Sequence, residues 1–210
     1  MKQIKNRFLT SKEINRVIIS ERIKKKYIAL GYSIEEIYFS KIKTLVVGLI
    51  ISSIILVGSI YLYSNINDIN NIDYLNPKYL IFLFLSIYLL RLLHELIKYI
   101  CFGLFCKEHY RSVELYFIKH FIPHSICLEE LNRFEYIFCL IMPLLILGLV
   151  PIIISINHNM FVMFILGLFG IVECSIDFYS IIKIVNTRSR YTMYLKHPSE
   201  PGLIIMKKNI

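Results

Sequence analysis

Four apolar stretches, each long enough to cross a bilayer, leave this chain little choice of fold. A helix needs about 20 apolar residues to span the hydrocarbon core. The stretches at 44–64 (TLVVGLIISSIILVGSIYLYS), 79–104, 134–156 and 160–185 all meet that length. In lipid every backbone N–H and C=O must be satisfied within the chain, so such stretches become helices. The expected fold is an all-α membrane protein with about four transmembrane helices. A hydrophobic content of 56% over 210 residues and a mean hydropathy of +0.60 agree with one membrane domain rather than a soluble one.

The charge of +9 is unevenly spread, and that decides what it is for. Eleven of the 24 Lys and Arg residues lie in 1–43, just ahead of the first span. Placed there they attract anionic lipid and mark a cytoplasmic segment, so a nucleic-acid partner is not expected. Lys107, Arg111, Lys119 and Arg133 mark the 106–133 loop in the same way, and a basic tail follows the last span. The 65–78 loop has a single basic residue, Lys78, and the 157–159 turn has no Lys or Arg; both fall outside. The expectation is a multi-pass protein of the cell membrane with both termini cytoplasmic: a basic cytoplasmic or interfacial segment 1–43, a four-helix membrane domain 44–185 and a cytoplasmic tail 186–210.

Residues 8–30 predict an amphipathic helix. Thr10 with Glu13 forms a capping-box pattern, and Ile14, Val17, Ile18 and Ile23 recur at helical spacing. It fits either the inner membrane surface or a solvated cytosolic position. Gly31 ends it, and Ser33 with Glu35 and Glu36 predicts a short helix leading into the first span. No apolar core stands near the start, so no secretory signal is expected. The five cysteines show no CxxC spacing and are expected to pack as apolar side chains without disulfides. Pro143 and Pro151 lie inside the third span, where neighbouring helices can satisfy the freed carbonyls.

Six ionisable groups interrupt two of the spans. In RLLHELIKYICF, Arg91, His94, Glu95 and Lys98 are three or four apart and form one polar stripe. Glu173 and Asp177 make a second pair, again four apart. Both spans run from outside to inside. His94 stands about 15 residues into its span and Asp177 about 17, so at about 1.5 Å per residue they reach nearly the same depth. A lone charge at that depth costs about 2.5–3.5 kcal/mol, but charges that meet neutralise one another. The second and fourth spans are therefore expected to pack stripe against stripe. Arg91 and Lys98 against Glu95, Glu173 and Asp177 sum to −1, and a proton on His94 would bring the sum to zero.

The stripe also reads as an HExxH helix with its second histidine changed to Lys98. In that motif two histidines bind zinc and the glutamate acts as general base on the metal-bound water. His94, Glu95 and Asp177 suit such roles. A protonated lysine has no lone pair to donate and repels a dication. Zinc is not needed for charge balance, so no cofactor is expected unless the site works, and a working site would need a third ligand such as His120, His124, Cys174 or Glu173. From the residues alone the stripe is a zinc site, a disabled one or a polar seam.

Several segments in order resemble the DUF3267 family, multi-span bacterial membrane proteins classed as putative zincin peptidases. These are GYSIEEIYFSKIKTLVVG, HELIKYICFGLF, FIPHSICLEELNRFEYIFCLIMPLLILGLVPIII, CSIDFYSIIKI and the tail KHPSEPGLII, together covering roughly 31–206. The resemblance implies His94 as first ligand, Glu95 as catalytic base and Asp177 as ligand from a later helix. It also exposes three departures. Lys98 stands where the second histidine belongs, Ile176 replaces a glycine and would crowd a close helix approach, and Lys196 replaces an acidic residue. The HPSEPG turn with His197 is either a rigid turn or a flap over the cytoplasmic mouth of the site.

The leading expectation is a zincin-like protein with a degenerate site. Lys98 would pair with Asp177 or Glu95, and the protein would act by binding a peptide or membrane-protein partner. An active intramembrane zinc metallopeptidase using His94, Glu95 and Asp177 is the first alternative, and a small transporter or channel subunit the second.

Overall fold

The structure, a computed structural model, describes residues 10–66, 77–118, 122–187 and 191–208, with the side chains of 77–84, 118 and 122 left aside. Thr10 caps α1 (Ser11–Ala29): its hydroxyl accepts from the Glu13 N–H, and the Glu13 carboxylate accepts from the Thr10 N–H. The buried face of α1 takes in only part of the stripe the spacing suggested, with Ile23 packed on the sheet core and Val17 half-buried. Ile14 and Ile18 are exposed, while Arg16, Ser20 and Tyr27 face inward. Arg16 reaches Glu114 at 2.7 Å and lies over the Tyr116 ring.

Gly31, with φ +80°, turns the chain out of α1 in a conformation that only glycine adopts freely. The expected short helix after it is instead a strand, β1 (Tyr32–Tyr38). The cap-like Ser33 and Glu36 pattern is a local preference. It loses to a partner about 170 residues away, since β1 pairs antiparallel along its whole length with the strand Gly202–Lys208.

The 106–133 connection is likewise more than a loop. A 3-10 turn at His109–Ser112 leads into an antiparallel hairpin, β2 (Val113–Ile118) and β3 (Ile122–Cys127). The short β4 (Leu131–Asn132) follows, and the tail supplies β5 (Thr192–Lys196) and β6 (Gly202–Lys208). The larger sheet has the order β1-β6-β5-β4. Its centre, β6, is buried from Leu203 to Met206, and Tyr27 of α1 packs on it. The fold is therefore mostly helical with two sheets, not all-α.

Four helical segments connect to these strands: α2 (Lys41–Ile66), α3 (Pro77–Phe105), α4 (Arg133–Pro143) continued by α5 (Val150–His158), and α6 (Phe161–Glu173) with α7 (Ser175–Val185). The sheet gathers the segments next to the start of α2, the start of α4 and the end of α7. Those helix ends must then share one side of the bundle. A π-helical stretch, Leu144–Leu149, joins α4 to α5 between the two prolines that lack N–H donors. Lys41–Ile66 and Arg133–His158 are long and apolar enough to cross a membrane. The fourth expected span is a broken helix, bent 48° at Cys174, and counts as a third only when taken as one. Among the described residues α3 does not join them, since from residue 85 on its apolar run carries Arg91, Glu95 and Lys98. The 65–78 loop falls mostly outside the described residues.

α2 is inverted relative to a helix in water. It buries Thr44, Gly48, Ser52, Ser59 and Tyr63 and exposes Ile42, Ile54 and Val57 at 67–76%. Small residues at the contact and aliphatic residues outside are the pattern of a helix whose solvent is lipid. A Cβ on Gly48 would lie 2.2 Å from the Ser175 carbonyl oxygen, so α2 and α7 touch backbone to backbone. The expected crowding by Ile176 does not occur, because that side chain is half exposed. The five cysteines are free and buried, as expected, with the Cys106 and Cys127 thiols in contact.

Gly48→Ala should destabilise the protein by about 1–3 kcal/mol, because backbone must move to admit the methyl group. Gly58→Ala is the matched control, since nothing lies within 4 Å of its added carbon. Thermal unfolding of both variants in detergent checks the difference.

Candidate functional site

Helical spacing places Arg91, His94, Glu95 and Lys98 on one face of α3, and the fold turns that face toward α6 and α7. His94, Glu95, Lys98 and Asp177 are all buried. The bend at Cys174 divides the second acidic pair between two helices. Glu173, at the end of α6, takes Arg91 at 2.9 Å. Asp177, in the first turn of α7, meets the Lys98 ammonium at 3.3 Å and His94 Nε2 at 3.0 Å. All six ionisable groups of the two spans thus come together, as the depth argument expects.

Glu95 is held on both sides. Its Oε2 accepts from the Ser125 N–H and the Ser125 hydroxyl, each at 2.8 Å. Its Oε1 lies 2.8 Å from the Lys98 ammonium, with His124 Nδ1 at 3.7 Å and Arg91 at 3.8 Å. The contact of His94 with Asp177 is close but misaligned. Neither ring nitrogen of His94 makes an aligned hydrogen bond, and His124 Nδ1 is buried without one as well.

These groups form the floor of a cavity of about 430 Å³. Its apolar wall includes Phe39, Leu45, Phe102 and Leu140, and its rim includes residues 197–203 of the tail. The HPSEPG segment is the β5–β6 turn. His197 Nδ1 accepts from the Ser199 and Glu200 N–H groups, which stiffens the turn, and the turn as a whole borders the cavity mouth. Lys196 projects from the end of β5 and donates to the Ser125 carbonyl at 2.7 Å. Burial, and next the positive charge of Lys98, pushes the Lys196 ammonium down to about 8.

The donor set does not fit zinc. Among the described residues no three His, Cys, Asp or Glu side chains converge to hold a metal ion. His94 and Asp177 make two, with Cys174 and a Glu95 oxygen close to His94, and the Lys98 ammonium that faces both carboxylates cannot donate a lone pair. His124 faces Glu95 across the cavity floor, and His120 lies outside the described residues.

A zincin-type helix with its glutamate in place and its second histidine missing matches a family on comparison. The model of DUF3267, "putative zincin peptidase", fits residues 87–191. The chain belongs to the DUF3267 family. The matched half runs from α3 to the start of the tail, so the β1–α2 segment and the HPSEPG turn fall outside it. No curated protein and no solved structure matches.

Ser125 and the position of Lys196 were not legible as parts of this DUF3267 site. Ser125 lies in a segment that reads as a polar loop. Only the pairing of β3 with β2 and its packing on α3 bring its N–H to Glu95. Lys196 follows an apolar strand and gives no local sign that it enters a cavity 98 residues from Lys98 in sequence.

Asp177→Ala should destabilise the protein by up to about 3–5 kcal/mol, the cost of breaking a buried ion pair, since it takes from Lys98 one of its two carboxylates. Unchanged thermal stability and abundance would dissolve the pairing. His124 gives a pH signature. Burial, then the charge of Lys196, lowers it from 6.5 to about 4. An unfolded chain takes up that proton near 6.5, so the native state loses stability as pH falls from about 6.5 to 4 and no further below. Melting curves across that range should show the loss, and His124→Gln should reduce it.

Proposed function

We propose that this chain is a four-pass integral membrane protein in which a zincin site has become a binding pocket without peptidase activity. Lys98 stands at the position of the motif's second histidine ligand, and its ammonium lies between Glu95 and Asp177. The observation that carries this reading is the 2.8 Å and 3.3 Å approach of the one ammonium to both carboxylates. Both oxygens of Glu95 are engaged, one by Ser125 and the other by Lys98, rather than directed at a metal-bound water.

The four passes follow from the strands that share one side of the bundle. The Lys and Arg bias of that side makes it cytoplasmic, with both termini inside. The pocket opens at this boundary, with apolar walls and a floor rich in hydrogen-bonding groups. Its occupant is an apolar peptide segment, free or part of a membrane partner, whose backbone N–H and C=O groups meet acceptors and donors on the floor. The buried nitrogens of His94 and Nδ1 of His124, which lack aligned hydrogen bonds, favour such an occupant.

An active zinc peptidase would need His120 or another group as third ligand. Metal content of protein purified in detergent without chelator separates the two. The expected result is zinc far below one per chain; near-stoichiometric zinc would sink the proposal.

A further inference from the structure

Two of the three departures noted in the sequence meet in one place. Lys98 on α3 and Lys196 on the tail hairpin line the same cavity as Glu95 and Asp177. Lys98 makes the direct contacts. Lys196 acts at one remove: Ser125 accepts from it through the carbonyl and donates to Glu95 through its N–H and hydroxyl. Ser125 is fully buried, so this link is fixed rather than adjustable.

No carboxylate lies within ion-pair distance of Lys196 among the described residues. A cation enclosed in this way needs compensation, and Glu95 and Asp177 are the negative charges that act on it across the cavity floor. The sequence alone left the six-group cluster at −1 and called on a protonated His94. Lys196 removes that need. Arg91 and Glu173 cancel as a contact pair, leaving Glu95 and Asp177 against Lys98 and Lys196. That sum is zero with both histidines neutral. A single dication held by the same two carboxylates would give the same sum.

We propose that Lys98 and Lys196 together replace a dication, Lys98 as the contact charge and Lys196 as a positioning charge fixed through Ser125. This rests on the reading that the wild-type site holds no metal, and it adds that Lys98 alone does not keep metal out. Restoring a histidine at 98 supplies a ligand but leaves the ammonium of Lys196 facing the incoming ion.

The test is a zinc titration, by competition with a fluorescent chelator, of the full chain in detergent. Lys98→His is compared with Lys98→His/Lys196→Met and Lys98→His/Lys196→Arg. Removing one charge a short distance from a dication should tighten binding by about tenfold or more at an effective dielectric constant near 20. The Met double variant should therefore bind at least that much more tightly than Lys98→His, and the Arg double variant should match Lys98→His. Equal affinities in all three, or no binding in any, would overturn the proposal. Stoichiometric zinc in the wild-type protein would instead overturn the metal-free reading beneath it, a separate result.

Should the histidine variants fail to fold, the wild-type background gives a second test. Lys196→Met leaves the floor at −1, and adding Glu95→Gln returns it to zero. The double variant should then melt higher than the sum of the two single losses predicts. Additive losses would overturn the coupling.

Discussion

One buried ammonium holds the two halves of this bundle in register. Lys98 on α3 touches Glu95 on its own helix and Asp177 on α7, and no other buried cation bridges those two carboxylates among the described residues. Once this contact forms, the rest of the stripe has its partners: Arg91 lies opposite Glu173, and His94 opposite Asp177. The bend at Cys174 is part of the same arrangement, because it lets Glu173 and Asp177 meet different cations. Burying such a group is costly, and well-packed apolar residues would often give equal or greater stability. Its value lies in specificity, since only one rotation and one depth of α3 against α7 satisfies all the charges.

The sheet at one end complements this centre. Strands from before α2, before α4 and after α7 meet there, and the tail hairpin closes over the cavity that the helices leave. α1 is held on the same end by the Arg16–Glu114 contact and by Tyr27 on β6. The helical passes follow the rules of lipid, with Gly48 and Ser52 inward and isoleucines outward. The cap follows the rules of water, with buried Tyr194, Leu195 and Leu203–Met206 and an ion-paired surface. The polar floor sits where the two regimes join, which is where a charged cluster can be buried at least cost.

The helices and the meeting of the two stripes were legible because they rest on local rules: apolar length, three-and-four spacing and depth per residue. The strands were not. Tyr32–Tyr38 offers an N-cap pattern to any local reading, and its true partner is the last strand of the chain. The β2–β3 hairpin was hidden for a related reason, because its residues between Lys107 and Arg133 read as a basic loop. With the strands went Ser125 and the reach of Lys196, the two parts of the site that depend on non-local pairing. The isoleucine stripe of α1 misled for a different reason: Arg16 buries its charge against Glu114 and Tyr116, a choice that composition does not announce.

The lysine arrangement also constrains how such a site could take up a metal. A histidine ligand and a lysine differ in two respects, the presence of a lone pair and the presence of a charge. Substitution at 98 alters both at one stroke, but the charge at 196 sits on a separate element, held by a carbonyl that any hydrogen-bond donor could satisfy. A chain that regained only the ligand would have a two-carboxylate floor still partly neutralised by lysine, and a metal there would carry uncompensated positive charge in a low-dielectric setting. A chain that lost only Lys196 would bury a net negative floor. Either single step is electrostatically worse than the starting point, so the two lysines stabilise each other's presence through the carboxylates they share.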